Sequence, residues 1–170
     1  MSISTRHATD ADRAFVLDSW LRSYRMSKHA GLIAMTDWPS VMGPQLRRIL
    51  ERSGCSTTVA FFDDATPGVA DLAGWIAVER GFEVQVRKKV RGRTVKGFAP
   101  SASPLIHYCY IKSHYRARFG IEHRLIAAAD IDPTQLVYMS CMTSTLRDLP
   151  LTRVQFEPLI ARFPRRNNVD

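Results

Sequence analysis

Residues 105–141 read LIHYCYIKSHYRARFGIEHRLIAAADIDPTQLVYMSC. Leu105–Lys112 is a nearly continuous apolar and aromatic run, long enough for a strand and too short for a typical helix, and such runs belong at the centre of a sheet. The basic loop Ser113–Phe119 follows, and Gly120 opens a predicted helix with Ile121, Leu125 and Ala128 on one face. The turn Asp130-Ile131-Asp132-Pro133 stops that helix, and Leu136–Cys141 forms the next strand. Strand, helix, strand is a βαβ unit, which predicts a parallel strand pair with a right-handed crossover.

Upstream, Ile3–His7 is a short strand, and Thr9 and Asp12 have the spacing of a capping box that starts a helix. Ala14, Leu17, Leu21 and Tyr24 supply its expected apolar stripe, and Asp18 precedes Arg22 by four residues, the spacing of a weak ion pair. Residues 26–39 read as a loop or a broken helix. A second helix is bracketed by Pro44 near its first turn and Gly54 just past its end, with Leu46, Ile49 and Leu50 on its apolar side. Ser56–Phe62 and Val69–Val78 flank a turn at 63–68 and form a β-hairpin. Residues 83–98, EVQVRKKVRGRTVKGF, alternate apolar and basic residues around Arg91-Gly92-Arg93 and predict a projecting two-stranded arm. Pro150, Pro158 and Pro164 break the tail into short pieces. One domain, 1–170, is expected, with 80–104 as a basic insertion.

The chain has 170 residues, 24 Lys+Arg against 16 Asp+Glu, a net charge of +8 and 45% hydrophobic residues. A chain of this size buries roughly 68–70% of its unfolded surface, so it needs no disulfide or metal staple. Disorder and fibrous classes are excluded by the apolar fraction. The charge is local. Residues 1–79 carry 8 basic and 9 acidic residues, 80–124 carry 11 and 2, and 125–170 carry 5 and 5. A confined basic segment points to an anionic partner there: nucleic acid, a phosphorylated cofactor or an acidic protein. Cys55, Cys109 and Cys141 are widely spaced in apolar sequence and read as buried thiols of a reducing compartment. The polar N-terminus lacks a signal-peptide core, and no apolar run approaches the roughly 20 residues that span a bilayer. A soluble, cytoplasmic protein without a membrane partner is expected.

The element order and the segment Tyr110-Ile-Lys-Ser-His-Tyr-Arg-Ala-Arg-Phe-Gly-Ile-Glu-His-Arg-Leu125 resemble the GNAT family of N-acetyltransferases over about residues 1–141. The opening residues 2–25 are also similar to the start of small acetyltransferase-like proteins, including some encoded by phages. The resemblance implies an α+β (α/β-like) fold with a central mixed β-sheet flanked by helices, here with an inserted basic β-hairpin. It implies acetyl-CoA as acyl donor, an amine acceptor and direct N-acyl transfer. By resemblance, Tyr110, Ile111 and Lys112 would align the pantetheine arm, and Arg116, Ala117, Arg118, Phe119, Gly120 and Ile121 would cradle the diphosphate. A turn running into a helix suits that task, because its unpaired backbone N–H groups face outward at the positive end of the helix dipole.

Three departures stand out. The position three before the first Gly, Arg or Gln in the family, is Ala117, flanked by Arg116 and Arg118. The family's second small residue is Glu122, whose carboxylate would repel a phosphate. The family's Tyr, which protonates the leaving thiolate, is missing from 142–150.

Direct transfer needs a base for the amine and an acid for the thiolate. Glu79 at a strand end and His107 in the central strand are the base candidates. Each also has a plain reading, as a solvated strand-end charge and a satisfied core histidine. On the acid side stand Tyr138 and Ser140, with Cys141 and Ser144 close by in sequence. His107 and Cys109, two apart, are expected on one face of their strand, but with His114 and His123 they lack the paired spacing of a zinc site, and no metal is expected. In the arm, Arg87, Lys88, Lys89, Arg91, Arg93 and Lys96 could track a phosphate backbone or simply protect a solvated sheet edge. The alternative function is therefore a catalytically inactive GNAT-like protein binding nucleic acid or a protein partner through this arm; oligomerisation stays open.

Overall fold

The computed structural model describes residues 2–25, 33–34, 36–63, 71–90, 93–116, 118–141, 143–147 and 149–155, with the backbone alone from Gln85 to Gly97. Most of the expected loop at 26–39, the turn at 64–68, Arg91, Ala117, Pro158 and Pro164 lie outside the described residues. The elements are β1 (Ile3–His7), α1 (Asp10–Tyr24), α2 (Trp38–Leu50), β2 (Cys55–Phe62), β3 (Asp71–Glu79), β4 (Glu83–Val90), β5 (Arg93–Pro100), β6 (Leu105–Ile111), α3 (Ile121–Ala128), β7 (Leu136–Met139), α4 (Ser144–Arg147) and β8 (Thr152–Gln155).

Six strands form one sheet in the order β1-β2-β3-β6-β7-β8. The first four are antiparallel neighbours, and β6, β7 and β8 run parallel. The predicted parallel pair across α3 is therefore present, and β6 is central. β4 and β5 pair with each other as a separate two-stranded sheet, from Glu83 opposite Pro100 to Val90 opposite Arg93. α4 and β8 had no counterpart in the sequence reading of the proline-rich tail.

The start of α1 follows from its capping box. The Thr9 backbone N–H and hydroxyl both donate to Asp12 Oδ2, at 2.7 and 2.9 Å, and the Arg6 guanidinium adds bonds of 2.6 and 3.0 Å to the same carboxylate. Arg6 above all, and then the Thr9 bonds, hold the Asp12 carboxyl at about 2 against the opposing effect of burial. The helix is rotated from the expected stripe. Ala14 is exposed and Leu17 and Leu21 are half-buried, whereas Val16, Trp20 and Tyr24 are buried. This i, i+4, i+8 stripe wins because Trp20 carries far more apolar surface than an alanine, and it lies 5.4 Å from the Trp75 ring.

α2 starts earlier than predicted. Pro39 sits in its first turn, where a missing N–H costs nothing, and Pro44 is inside the helix. Trp38 fixes this end by donating to the Leu21 carbonyl at 3.0 Å. α1 and α2 cover one sheet face through Val16, Trp20, Met42, Leu46, Trp75 and Tyr108. α3 covers the other through Ile106, Cys109, Ile111, Ile121, Leu125 and Met139. Ala128, expected on the apolar side of α3, is exposed, and Ile126 is buried instead.

One irregularity in β6 matters for the site. Val78 is opposite Ile106 and Ala77 opposite Tyr108, so His107 is an extra residue in the ladder. A bulge of this kind resets the alternation of side chains. His107 and Tyr108 both face α1, 6.5 and 5.6 Å from the Trp20 ring, while Cys109 packs on the α3 face. The expectation that His107 and Cys109 share a face is thus overturned by the bulge. Cys55, Cys109 and Cys141 are free thiols. No helix among the described residues is long and apolar enough to cross a membrane.

Candidate functional site

β6 and β7 are paired over two positions only, Leu105 with Tyr138 and Ile106 with Met139. Bonds from Tyr138 N–H to the Pro104 carbonyl and from Ser140 N–H to the Ile106 carbonyl close that end. β6 then continues along β3 as far as Ile111, beyond its last pairing with β7. Lys112 N–H donates to the Ala73 carbonyl of β3 at 2.9 Å. Because backbone groups alternate sides along a strand, the N–H and C=O groups of Cys109 and Ile111 turn toward the opening. The Ile111 carbonyl there accepts a bond of 3.1 Å from Arg116 Nε. The opening is a cleft of about 390 Å³ whose lining includes Ser23, Tyr108, Cys109, Cys141, Thr143 and Ser144. An adjoining hollow of about 230 Å³ is lined by Arg116, Glu122, His123 and Leu149, among others. A strand pair splayed in this way, with a helix following the first strand, completes the architecture that the sequence resemblance implied.

The fold is an α+β one, a mixed six-stranded sheet with helices on both faces. No protein-family profile and no curated protein sequence matches the chain. Among solved structures it is similar to a tetramutant of the BH1408 protein of Bacillus halodurans, at 13% identity over 86% of each chain with a TM-score of 0.49. It is also similar to PaiA N-acetyltransferase of Thermoplasma acidophilum in complex with coenzyme A, at 16% identity over 76% of this chain and 71% of that one, TM-score 0.45. The aminoglycoside 6'-N-acetyltransferase of Acinetobacter baumannii gives 13%, 76%, 69% and 0.44. Identities of this order say nothing of substrate, and the functional reading below rests on this chain's own geometry.

At the closed end of the β6–β7 splay, three of the four predicted catalytic residues meet. His107 Nε2 lies 2.6 Å from Glu79 Oε2, and Arg52 donates to the same oxygen at 2.7 Å. Ser140 Oγ donates to the His107 carbonyl at 2.7 Å and stands 3.5 Å from His107 Nδ1. All three residues are buried. Burial alone would raise the Glu79 carboxyl, but hydrogen bonds from His107 and Arg52 outweigh it and hold the group below its usual value. Glu79 is therefore an ionised anchor rather than a solvated strand end or a free base. Tyr138 is outside this array; its ring packs edge-on against Phe82 at 5.2 Å. Arg52, just past α2, was missed in the sequence. Nothing local marks it, because its role depends on the pairing of distant segments. Burial raises Tyr108 and Cys109 to about 12, so neither is ionised near neutrality.

The predicted phosphate loop is only partly as expected. Phe119 and Gly120 both have positive φ, 62° and 58°, and Gly120 is the N-cap of α3. Gly is at home there, whereas Phe119 is held by packing on Phe62 at 5.6 Å. Ile121 is fully buried, so only its backbone can serve a ligand. Tyr110 stacks on Trp75 and meets Phe15 edge-on, on the α1 face. The Lys112 ammonium sits over the Phe15 ring at 5.6 Å, away from the loop. Arg118 is exposed. In the basic arm, Arg87, Lys88, Lys89, Arg93 and Lys96 occupy the paired strands β4 and β5, and their side chains lie outside the description, as does Arg91.

The residues present fit the pantetheine portion of coenzyme A. That portion is an extended chain bearing amides, and the open edge at Cys109 and Ile111 offers a parallel partner for it. Of the three residues that the resemblance assigned to the arm, Ile111 presents its backbone at this edge, whereas the backbone groups of Tyr110 and Lys112 turn toward β3.

Proposed function

We propose that the chain is an acyl-CoA-dependent N-acyltransferase, with acetyl-CoA as donor, acting on an amine by direct transfer. The observation that carries this reading is the splay of β6 and β7 with Glu79, His107 and Ser140 hydrogen-bonded at its apex. When bound, acyl-CoA would supply a thioester: the amine nitrogen would bond to its carbonyl carbon, the C–S bond would break, and the thiolate would leave as the free thiol on taking up one proton, matching the one the amine gives up. The chain's own residues accept and pass on the amine's proton. Glu79, anchored by Arg52, keeps a proton on His107 Nε2 and so presents Nδ1 as the basic nitrogen. The Ser140 hydroxyl donates to the His107 carbonyl at 2.7 Å, with the Ile106 carbonyl and His107 Nδ1 each at 3.5 Å; on taking up a proton from the acceptor side it gives its own to Nδ1, and the imidazole holds it. Cys141 lines the cleft, whereas its neighbour Ser140 and His107 are buried beyond the lining, so both are positioning residues on the proton's path rather than contacts of the substrate.

Isothermal titration with acetyl-CoA, followed by thiol release with a panel of primary amines, tests this. Binding in the micromolar to low millimolar range is expected. Ser140→Ala and His107→Gln should each lower transfer about 100-fold or more while retaining donor binding. No binding at millimolar acetyl-CoA would overturn the reading.

A further inference from the structure

The diphosphate end of the cleft departs from what acyl-CoA requires. Glu122 is the second residue of α3, directly after the Gly120 cap and Ile121. Its side chain is 19% exposed and lines the hollow beside Arg116. Among the described residues its Oε2 is buried without a hydrogen-bond partner, and its ion-pair neighbour is the exposed His123, whose Nδ1 lies 3.8 Å from Oε1. The carboxylate thus sits where the helix dipole is most positive and offsets that positive end with its own charge. Its field is felt at Cys109, where it adds to the effect of burial on the thiol.

Three nearby cations have contacts of their own. Arg116 is committed to the Ile111 carbonyl, the Lys112 ammonium to Phe15, and Arg124 reaches the Ile3 carbonyl at 3.4 Å. An anion placed at that terminus shares the hollow with the Glu122 carboxylate as well as with Arg116.

We infer that Glu122 makes the α3 end of the cleft a poor diphosphate site, so that the donor is recognised by its pantetheine thioester arm and the diphosphate adds little. This rests on the transferase reading and narrows its donor class to pantetheine thioesters. The chain should accept acetyl-pantetheine, which has no phosphate, nearly as well as acetyl-CoA.

Isothermal titration of the full chain and its Glu122→Gln and Glu122→Ala variants with acetyl-CoA and acetyl-pantetheine decides it. Wild type should bind the two ligands with affinities less than about tenfold apart. Both variants should gain about tenfold for acetyl-CoA, equivalent to about 1.4 kcal/mol, and nothing for acetyl-pantetheine. A wild-type preference of tenfold or more for acetyl-CoA overturns the inference, as does a variant gain that is absent or equal for both ligands; in either case the transferase reading stands. Failure of both ligands to bind any of the three proteins overturns the transferase reading, and the inference with it.

Discussion

Replacing Glu79 with Gln removes the one negative charge shared by Arg52 and His107, at 2.7 and 2.6 Å. Both partners are donors toward that carboxylate. A glutamine oxygen can accept from one of them, but its NH2 then faces the other donor. Arg52 is also left with its charge largely buried, its side chain being 22% exposed. Breaking a buried pair in this way costs about 3–5 kcal/mol. For a domain of this size each kcal/mol lowers Tm by about 2–4 °C, so a fall of roughly 6–20 °C is expected by circular dichroism at pH 7. The difference should depend on pH with a definite sign. The folded Glu79 carboxyl lies below its ordinary value, so its stabilisation is complete above about pH 4.3 and is lost as the pH falls through the folded value. Wild type and variant should therefore converge in acid. A Tm within 1 °C of wild type at pH 7, or a gap that persists unchanged below pH 3, would refute an ionised Glu79 at the centre of the array.

Asp12→Asn should cost about 2 kcal/mol at pH 7, since the folded carboxyl is held at about 2 against an ordinary value of about 3.9. The loss should vanish as the pH falls from about 4 to 2, measured by urea unfolding. At Gly74 an added Cβ would lie 2.5 Å from the Tyr110 carbonyl oxygen and 3.2 Å from Ile111 Cα. Gly74→Ala must therefore push β6 away from β3, costing about 1–3 kcal/mol and weakening acetyl-pantetheine binding. Gly43, inside α2 with nothing within 4 Å of an added Cβ, should give the opposite sign: Gly43→Ala stabilises by about 0.5–1 kcal/mol. Changing Arg87, Lys88, Lys89, Arg93 and Lys96 to Gln should leave thioester binding within twofold and abolish any retention on immobilised DNA at low salt; retention that survives refutes β4–β5 as the contact.

The parts legible in the sequence were those written in local signals. The capping box of α1, the apolar run of β6 and the Gly120 start of α3 are each contained within a few residues, and each is where the sequence places it. What escaped depends on distant partners. The stripe of α1 turned on Trp20 meeting Trp75, 55 residues away, which periodicity among smaller apolar residues cannot reveal. α4 and β8 are four residues each, too short to show a period beside Pro150. In the site, Glu79, His107 and Ser140 were identified as residue types at strand ends and centres. That they touch is a consequence of register between β3, β6 and β7, and Arg52 joins them from beyond α2 with no local motif at all.

The bulge at His107 ties these observations together. In a regular β6, the groups facing β7 at Ile106 would recur at Tyr108 and Tyr110, and Cys109 would share a face with His107. With one residue added to the ladder, the backbone of Cys109 and Ile111 faces the opening, while the Tyr108 and Tyr110 side chains join the Trp75 cluster on the α1 side. The added residue itself supplies the imidazole that reaches Glu79. The open edge and the Glu79–His107–Ser140 hydrogen-bond array thus have one cause, a single inserted residue in the central strand, which explains why they occur side by side at the point where β7 stops following β6.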